Sequence, residues 1–204
     1  MAATLPRRFF LTHGSPASGQ VCLTFDDGPH PVHTPRLLDV LRDQNVTATF
    51  FVIGSKARQA PDIVRRIAEE GHAVGHHTMY HTDPALTSTS QLLREIQETR
   101  RMLQEQTGKM SNLFRPPHGK LTFAKMTKIW GAGQRIVLWN VDPKDFACAT
   151  SDQLRDRLER SPLRGGDIVL MHDNVAHAAI VLPELIDSVR TSGLSFVPVT
   201  RWIP

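Results

Sequence analysis

Val21-Cys22-Leu23-Thr24-Phe25-Asp26-Asp27-Gly28-Pro29 decides how this chain is read. A short apolar run ending in two acids, a glycine and a proline reads as a strand whose carboxyl end opens into a turn, the place where α/β proteins build their sites. Successive side chains of a strand point to opposite faces, so Asp26 and Asp27 are expected to do different work, one holding a metal and the other moving protons. Asp, Gly and Pro are also turn formers, and the segment by itself fits a plain turn equally well.

The stretch His76-His77-Thr78-Met79-Tyr80-His81 tips that balance. His77 and His81 are four residues apart, a spacing that stacks two imidazoles on one face of a helical turn, and Asp83-Pro84 closes the segment because the residue before a proline disfavours helix. Neutral imidazole is the commonest protein ligand for zinc. With one carboxylate from the Asp26-Asp27 strand end, the pair supplies two nitrogens and an oxygen and leaves a fourth position for water. Structural zinc sites close all four positions with protein ligands, so this outline is that of a catalytic centre.

The chain has 204 residues and a net charge of +4, with an isoelectric point near 9.4. That length fits one domain able to bury roughly 70% of its unfolded surface. The basic residues are scattered, and with one Tyr and three Trp the interleaving of cations and aromatics expected of a nucleic-acid binder is missing. Cys22 and Cys148 read as small buried side chains rather than a disulfide framework. No apolar run reaches the length of a membrane span or of a signal peptide, so the sequence as written points to the cytosol.

Strand-like runs near 21–25, 47–52, 73–75, 112–114, 135–139, 167–171 and 195–198 alternate with helical patterns over 34–44, 61–70, 89–106, 121–131, 151–160 and 178–191. In the third helical segment Leu92, Leu93, Ile96 and Leu103 line one side and charges the other, the pattern of a surface helix lying on a core. Strands with helices between them predict a parallel α/β layout. Periodicity alone does not separate a barrel from an open sheet.

Five motifs in order, Thr24-Phe25-Asp26-Asp27-Gly28-Pro29, His77-Thr78-Met79-Tyr80-His81, Arg115-Pro116-Pro117-His118-Gly119, Asp142-Pro143-Lys144-Asp145-Phe146 and Leu170-Met171-His172, resemble those of the polysaccharide deacetylases, carbohydrate esterase family 4, the NodB-homology domain. The resemblance implies an irregular, TIM-barrel-like (β/α)7 barrel in a single catalytic domain over residues 19–204, behind an N-terminal extension of residues 1–18. It implies a metal-dependent hydrolase that removes N-acetyl groups from an amino-sugar polymer or oligomer, peptidoglycan or chitin-like. Asp27, His77 and His81 would hold one divalent ion, zinc in first place with cobalt and nickel as the other candidates. Asp26 would be the general base and His172 the general acid, with Asp145 raising the basicity of His172 as a nearby opposite charge and Arg115 keeping Asp26 ionised and oriented. Pro116, Pro117, His118, Phe146 and Leu170 would line the substrate.

Two positions depart from the family pattern. His118 stands where Tyr is usual, and because the family uses the backbone amide there as an oxyanion donor, the donor survives the change. Phe146 stands where Trp is usual, which keeps an aromatic wall and loses an indole N–H. The remaining imidazoles His30, His72, His76 and His177 read as outer residues, since three protein ligands suffice for a catalytic zinc. Family members commonly act on wall or exported polymers, so either the chain is trimmed, and works in the cell envelope or outside the cell, or its substrate is met inside the cell.

Two other classes fit parts of the pattern. Two histidines and a carboxylate also make the iron site of oxygenases, but an oxygenase has no need of the separate set Asp26, Arg115, Asp145 and His172. A sugar-binding module that kept the fold and lost the chemistry is disfavoured because a competent side chain fills each catalytic position.

Overall fold

The computed structural model describes residues 9–203, and its organising strand is Gln20–Asp26, buried from Val21 to Asp26. In chain order the strands are β1 (Phe10–Leu11), β2 (Gln20–Asp26), β3 (Thr49–Val52), β4 (Ala73–His76), β5 (Leu113–Phe114), β6 (Arg135–Val137), β7 (Ile168–His172) and β8 (Ser195–Phe196). The α-helices are α1 (His33–Asp43), α2 (Gly54–Gln59), α3 (Pro61–Glu69), α4 (Thr89–Thr107), α5 (Phe123–Gly131), α6 (Ser151–Arg160) and α7 (Ala176–Thr191). The sheet runs β1-β6-β5-β4-β3-β2-β7, with β8 on the other end of β2. Every pairing is parallel. A parallel sheet needs both faces covered, which is why β2 is buried along its length rather than alternating.

The strand path does not stay open. Val141 bridges Val169, and the Leu170 amide donates to the Val141 carbonyl at 2.9 Å. The segment just past β6 therefore meets β7 and curls the sheet into the irregular barrel that the motifs imply. Odd and even residues of β2 serve different layers. Val21, Leu23 and Phe25 join the large cluster formed with Leu37, Leu38 and Leu41 of α1 and Val181, Leu182 and Ile186 of α7. Cys22 packs instead with Phe51, Leu113, Val137 and Ile168, the inner layer of the barrel. Asp26 shares the parity of Cys22 and Thr24 and so faces inward at the strand's carboxyl end.

Outer-layer burial supplies most of the holding energy. Phe25 and Phe50 are fully buried, with ring centroids 5.1 Å apart, and removing one such side chain from water contributes about 1.5–3 kcal/mol. Leu92, Ile96 and Leu103 of α4 are buried as expected, while Leu93 is only partly so. Ser88 caps this helix by accepting from the Gln91 amide, and Gly108 ends it at φ 68°.

Several elements differ from the sequence reading, among them β3, which begins at Thr49, and β8, which ends at Phe196, each two residues short of the expected range. β1 has two residues, too few to show an alternation, and it pairs with β6. Its position means that the described part of the segment read as an N-terminal extension adds a strand to the sheet, while residues 1–8 lie outside the described residues. α2 was not anticipated because six residues opening on Gly54-Ser55 make too short a window for a helical period. β6 stops at Val137, two residues before the expected end. Cys22 and Cys148 are both free, on different sides of the sheet. No helix among the described residues is long and apolar enough to cross a membrane.

Candidate metal centre and the groups around it

One ligand atom from each of Asp27, His77 and His81 lies within 4.8 Å of the other two. His81 Nε2 is 3.3 Å from Asp27 Oδ1 and His77 Nε2 is 3.7 Å from it. The local folding that achieves this departs from the sequence reading at both ends. β2 stops at Asp26, and Asp27 takes a left-handed φ of 71°. The strict strand alternation does not reach it, and both carboxylates turn toward His77. His77 and His81 do not sit on a helical turn: they follow β4 in a loop in which Thr78 and His81 have φ of 62° and 58°. The Thr78 hydroxyl accepts from the His81 amide at 2.9 Å, and the loop brings the two rings to 4.8 Å.

The donor set suits a metal. His77 Nδ1 donates to the Arg115 carbonyl at 2.7 Å, which fixes the tautomer and leaves the Nε2 lone pair facing the carboxylates. Burial pushes the His77 pKa down to about 3, against the pull of Asp27, and burial likewise lowers His81. Both imidazoles are therefore neutral, the form that ligates. Asp27 Oδ1 is a buried oxygen with no hydrogen-bond partner among the described residues. An orphaned carboxylate oxygen facing two imidazole nitrogens is costly unless something cationic completes it, and a divalent ion fits that vacancy of partners.

Asp26 is arranged for another task. Its Oδ1 accepts from Arg115 Nη1 at 2.7 Å, while Oδ2 stands 3.7 Å from His77 Nε2. Arg115 is fully buried and its donors are spent within the barrel. Nη1 also reaches the Thr24 hydroxyl, and Nε and Nη2 reach the carbonyls of Val137 and Leu138. Its guanidinium stacks 4.1 Å above the Phe51 ring. Burial raises the Asp26 pKa above the usual carboxylate value, and the charge and hydrogen bond of Arg115 pull it back only in part.

His172 stands on the neighbouring strand in register with Asp26. Its Nδ1 donates to Asp145 Oδ1 and its backbone amide to Asp145 Oδ2, both at 2.7 Å. Burial works against a charged His172, but the hydrogen bond and charge of Asp145, with the charges of Asp26 and Asp27, outweigh it and raise the pKa. Phe146 lies edge-on to the His172 ring, 5.1 Å between centroids, and is about half exposed. His118 is exposed at φ 58° and its ring meets that of His81 at 5.0 Å. Pro116 and Pro117 are buried beneath it. Leu170 is only 4% exposed and sits below His172 on the same strand face.

The other imidazoles lie outside the ligand cluster. His76 donates from Nε2 to Gln134 Oε1, His72 accepts from the Ala48 amide, His177 pairs with the Ser151 hydroxyl, and His30 accepts from the amides of Val32 and His33. Sequence reasoning passed over Lys56, whose Nζ donates to the Asp27 carbonyl at 2.7 Å. It also passed over Asp173 and Thr34. Nothing in the pattern around Lys56 marks it, whereas Asp173 directly follows His172 and was visible as a further acid at a strand end.

The chain is 36% identical over 190 residues to a peptidoglycan-N-acetylglucosamine deacetylase of Bacillus cereus, covering 89% of this chain and 86% of that protein. It is 40% identical over 154 residues to a chitooligosaccharide deacetylase of Sinorhizobium fredii, covering 75% of this chain and 71% of that one. A crystal structure of a peptidoglycan N-acetylglucosamine deacetylase superposes with a TM-score of 0.91 at 30% identity, covering 95% of this chain and 92% of the other. Residues 13–134 match the polysaccharide deacetylase family profile, and with these five motifs on this barrel the chain belongs to the polysaccharide deacetylase family.

Proposed function

We propose that the protein is a metal-dependent N-deacetylase of an amino-sugar polymer or oligomer, peptidoglycan or chitin-like, with zinc as the resident ion. The observation that carries this reading is the convergence of Asp27 Oδ1, His77 Nε2 and His81 Nε2 beside Asp26, with His172 in register with Asp26 on the neighbouring strand. When bound, the ion supplies Lewis acidity, polarising the acetyl carbonyl and making water acidic enough to attack at neutral pH.

The chain's own groups move the protons. Asp26 Oδ2, left free by the Arg115 bond to Oδ1, takes the proton of the attacking water as its oxygen bonds to the acetyl carbon. The backbone amide of His118 donates to the carbonyl oxygen as it gains charge. His172, held by Asp145 with Nε2 toward the site, gives a proton to the nitrogen as the C–N bond breaks, so that acetate and a free amine leave. Phe146 and Leu170 wall the acetyl group, and Pro116 and Pro117 support the His118 turn.

An oxygenase reading leaves Arg115, Asp145 and His172 without work. Incubation with N-acetylglucosamine oligomers tests the proposal: acetate and new sugar amine appear in equal amounts. Oligomers bound but returned intact would make the protein a sugar-binding module.

A further inference from the structure

The residue after the acid candidate is a second buried carboxylate that the reaction does not use. Asp173 is 1% exposed. Its Oδ2 accepts from the Thr34 hydroxyl at 2.6 Å, and that hydroxyl oxygen accepts from the His30 amide at 2.7 Å. The Asp173 amide donates to the Asp26 carbonyl at 3.3 Å. Between these two ties runs Asp27-Gly28-Pro29, and it passes so close that a Cβ on Gly28 would lie 1.9 Å from Asp173 Oδ2. The segment that holds the ligand Asp27 is thus fastened at Asp26, pressed at Gly28 and fastened again at His30, in each case by Asp173 or through Thr34.

A merely space-filling residue would not be an acid here. Asp173 Oδ1 has no partner among the described residues, and an unpaired buried oxygen is costly to keep unless the residue is needed. Asp27 itself needs outside support, since its left-handed φ of 71° is one that non-glycine residues seldom adopt. Its carboxylate makes no hydrogen bond that could hold it through Oδ1. The relay from His30 to β7 runs through one hydroxyl and one carboxylate: the Thr34 hydroxyl accepts from the His30 amide and donates to Asp173, whose carboxylate only accepts.

We infer that Asp173 and Thr34 are positioning residues, a buried hydroxyl–carboxylate strut that locks the Asp26–His30 loop to the end of β7 and so sets Asp27 for the metal and Asp26 opposite His172. This rests on the function proposed above for those three residues.

The test is zinc affinity, measured by competition with a chromophoric chelator, together with kcat and KM on N-acetylglucosamine oligomers. Asp173→Ala removes the acceptor, and Thr34→Val removes the hydroxyl at nearly constant shape. Each should weaken zinc binding by about 10–100-fold, the usual effect of losing an outer-shell partner, and lower kcat more than it changes KM. Asp173→Asn and Thr34→Ser keep the bond and should hold zinc affinity within about threefold of the original by the same reasoning. Should Asp173→Ala fail to fold, the Thr34→Val and Thr34→Ser pair decides. Original zinc affinity in Thr34→Val and Asp173→Ala overturns the strut, as does a loss in Asp173→Asn equal to that in Asp173→Ala. A protein that binds zinc but releases no acetate contradicts the deacetylase reading while the affinity comparison still judges the strut. One that binds no zinc overturns both.

Discussion

Asp26 and Asp27 share a side-chain type and a peptide bond, and their surroundings part them. Asp26 is buried with one oxygen on Arg115 and the other free, whereas Asp27 turns its Oδ1 to two imidazoles. Asp26→Asn keeps size and shape and removes the base, so metal content should stay at the original stoichiometry while turnover falls by about two to four powers of ten. Asp27→Asn removes a charged ligand, so occupancy should fall first and activity should partly return at high metal concentration. Metal analysis beside kinetics checks both, and the opposite pattern would swap the roles. On the proposed mechanism, His172 carries the pH dependence. It serves as acid only while protonated, so the rate should fall as pH rises through its pKa, which lies above the ordinary 6.5. Asp145→Asn removes the carboxylate charge that raises it and leaves the burial that lowers it. The alkaline limb of kcat/KM should then move to lower pH, and an unmoved limb would detach His172 from Asp145. The pairing of His77 with His81 was legible from spacing, but the means was not. Convergence comes from left-handed Thr78 and His81, a conformation that residue type does not announce for Thr.

At the scale of elements, the long helices and β2 were legible, as were the short strands β5 and β8, whereas β1 and α2 were not. α4 reveals itself through its apolar helical period and β2 through a continuous apolar run, while β1 and α2 have no room for a period and exist because β6 and the neighbouring helices receive them. The inner layer of the barrel depends on small residues that sequence reading does not weigh. Gly75 of β4 is one: a Cβ there would lie 2.6 Å from the Phe51 ring, which itself underlies Arg115. Gly75→Ala should therefore cost about 1–3 kcal/mol through overpacking and lower Tm by roughly 3–10 °C. It should also reduce turnover by tilting Arg115 away from Asp26. Thermal unfolding and kcat on the same preparation check the two effects, and an unchanged Tm would mean the inner layer has slack.

For the whole molecule, the order of strands and helices points to the parallel α/β class, but barrel closure rests on the short Val141–Val169 bridge and the hydrogen bonds that join Asn140 and Val141 to β7, which no period encodes. Closure is what brings β2 and β7 side by side with the β6 end, so that motifs about 150 residues apart in the chain meet around one point. The even scatter of positive charge leaves the site's selectivity to local groups rather than to a long-range field. Among these, His118 and Phe146 at the rim differ from the family's usual Tyr and Trp. The proposed amide hydrolysis depends on a divalent ion held by Asp27, His77 and His81. Acetate release from N-acetylglucosamine oligomers should cease on exhaustive chelation, return when about one equivalent of zinc is restored, and stay absent in His77→Ala whatever the zinc concentration. Full activity in the chelated protein would contradict it.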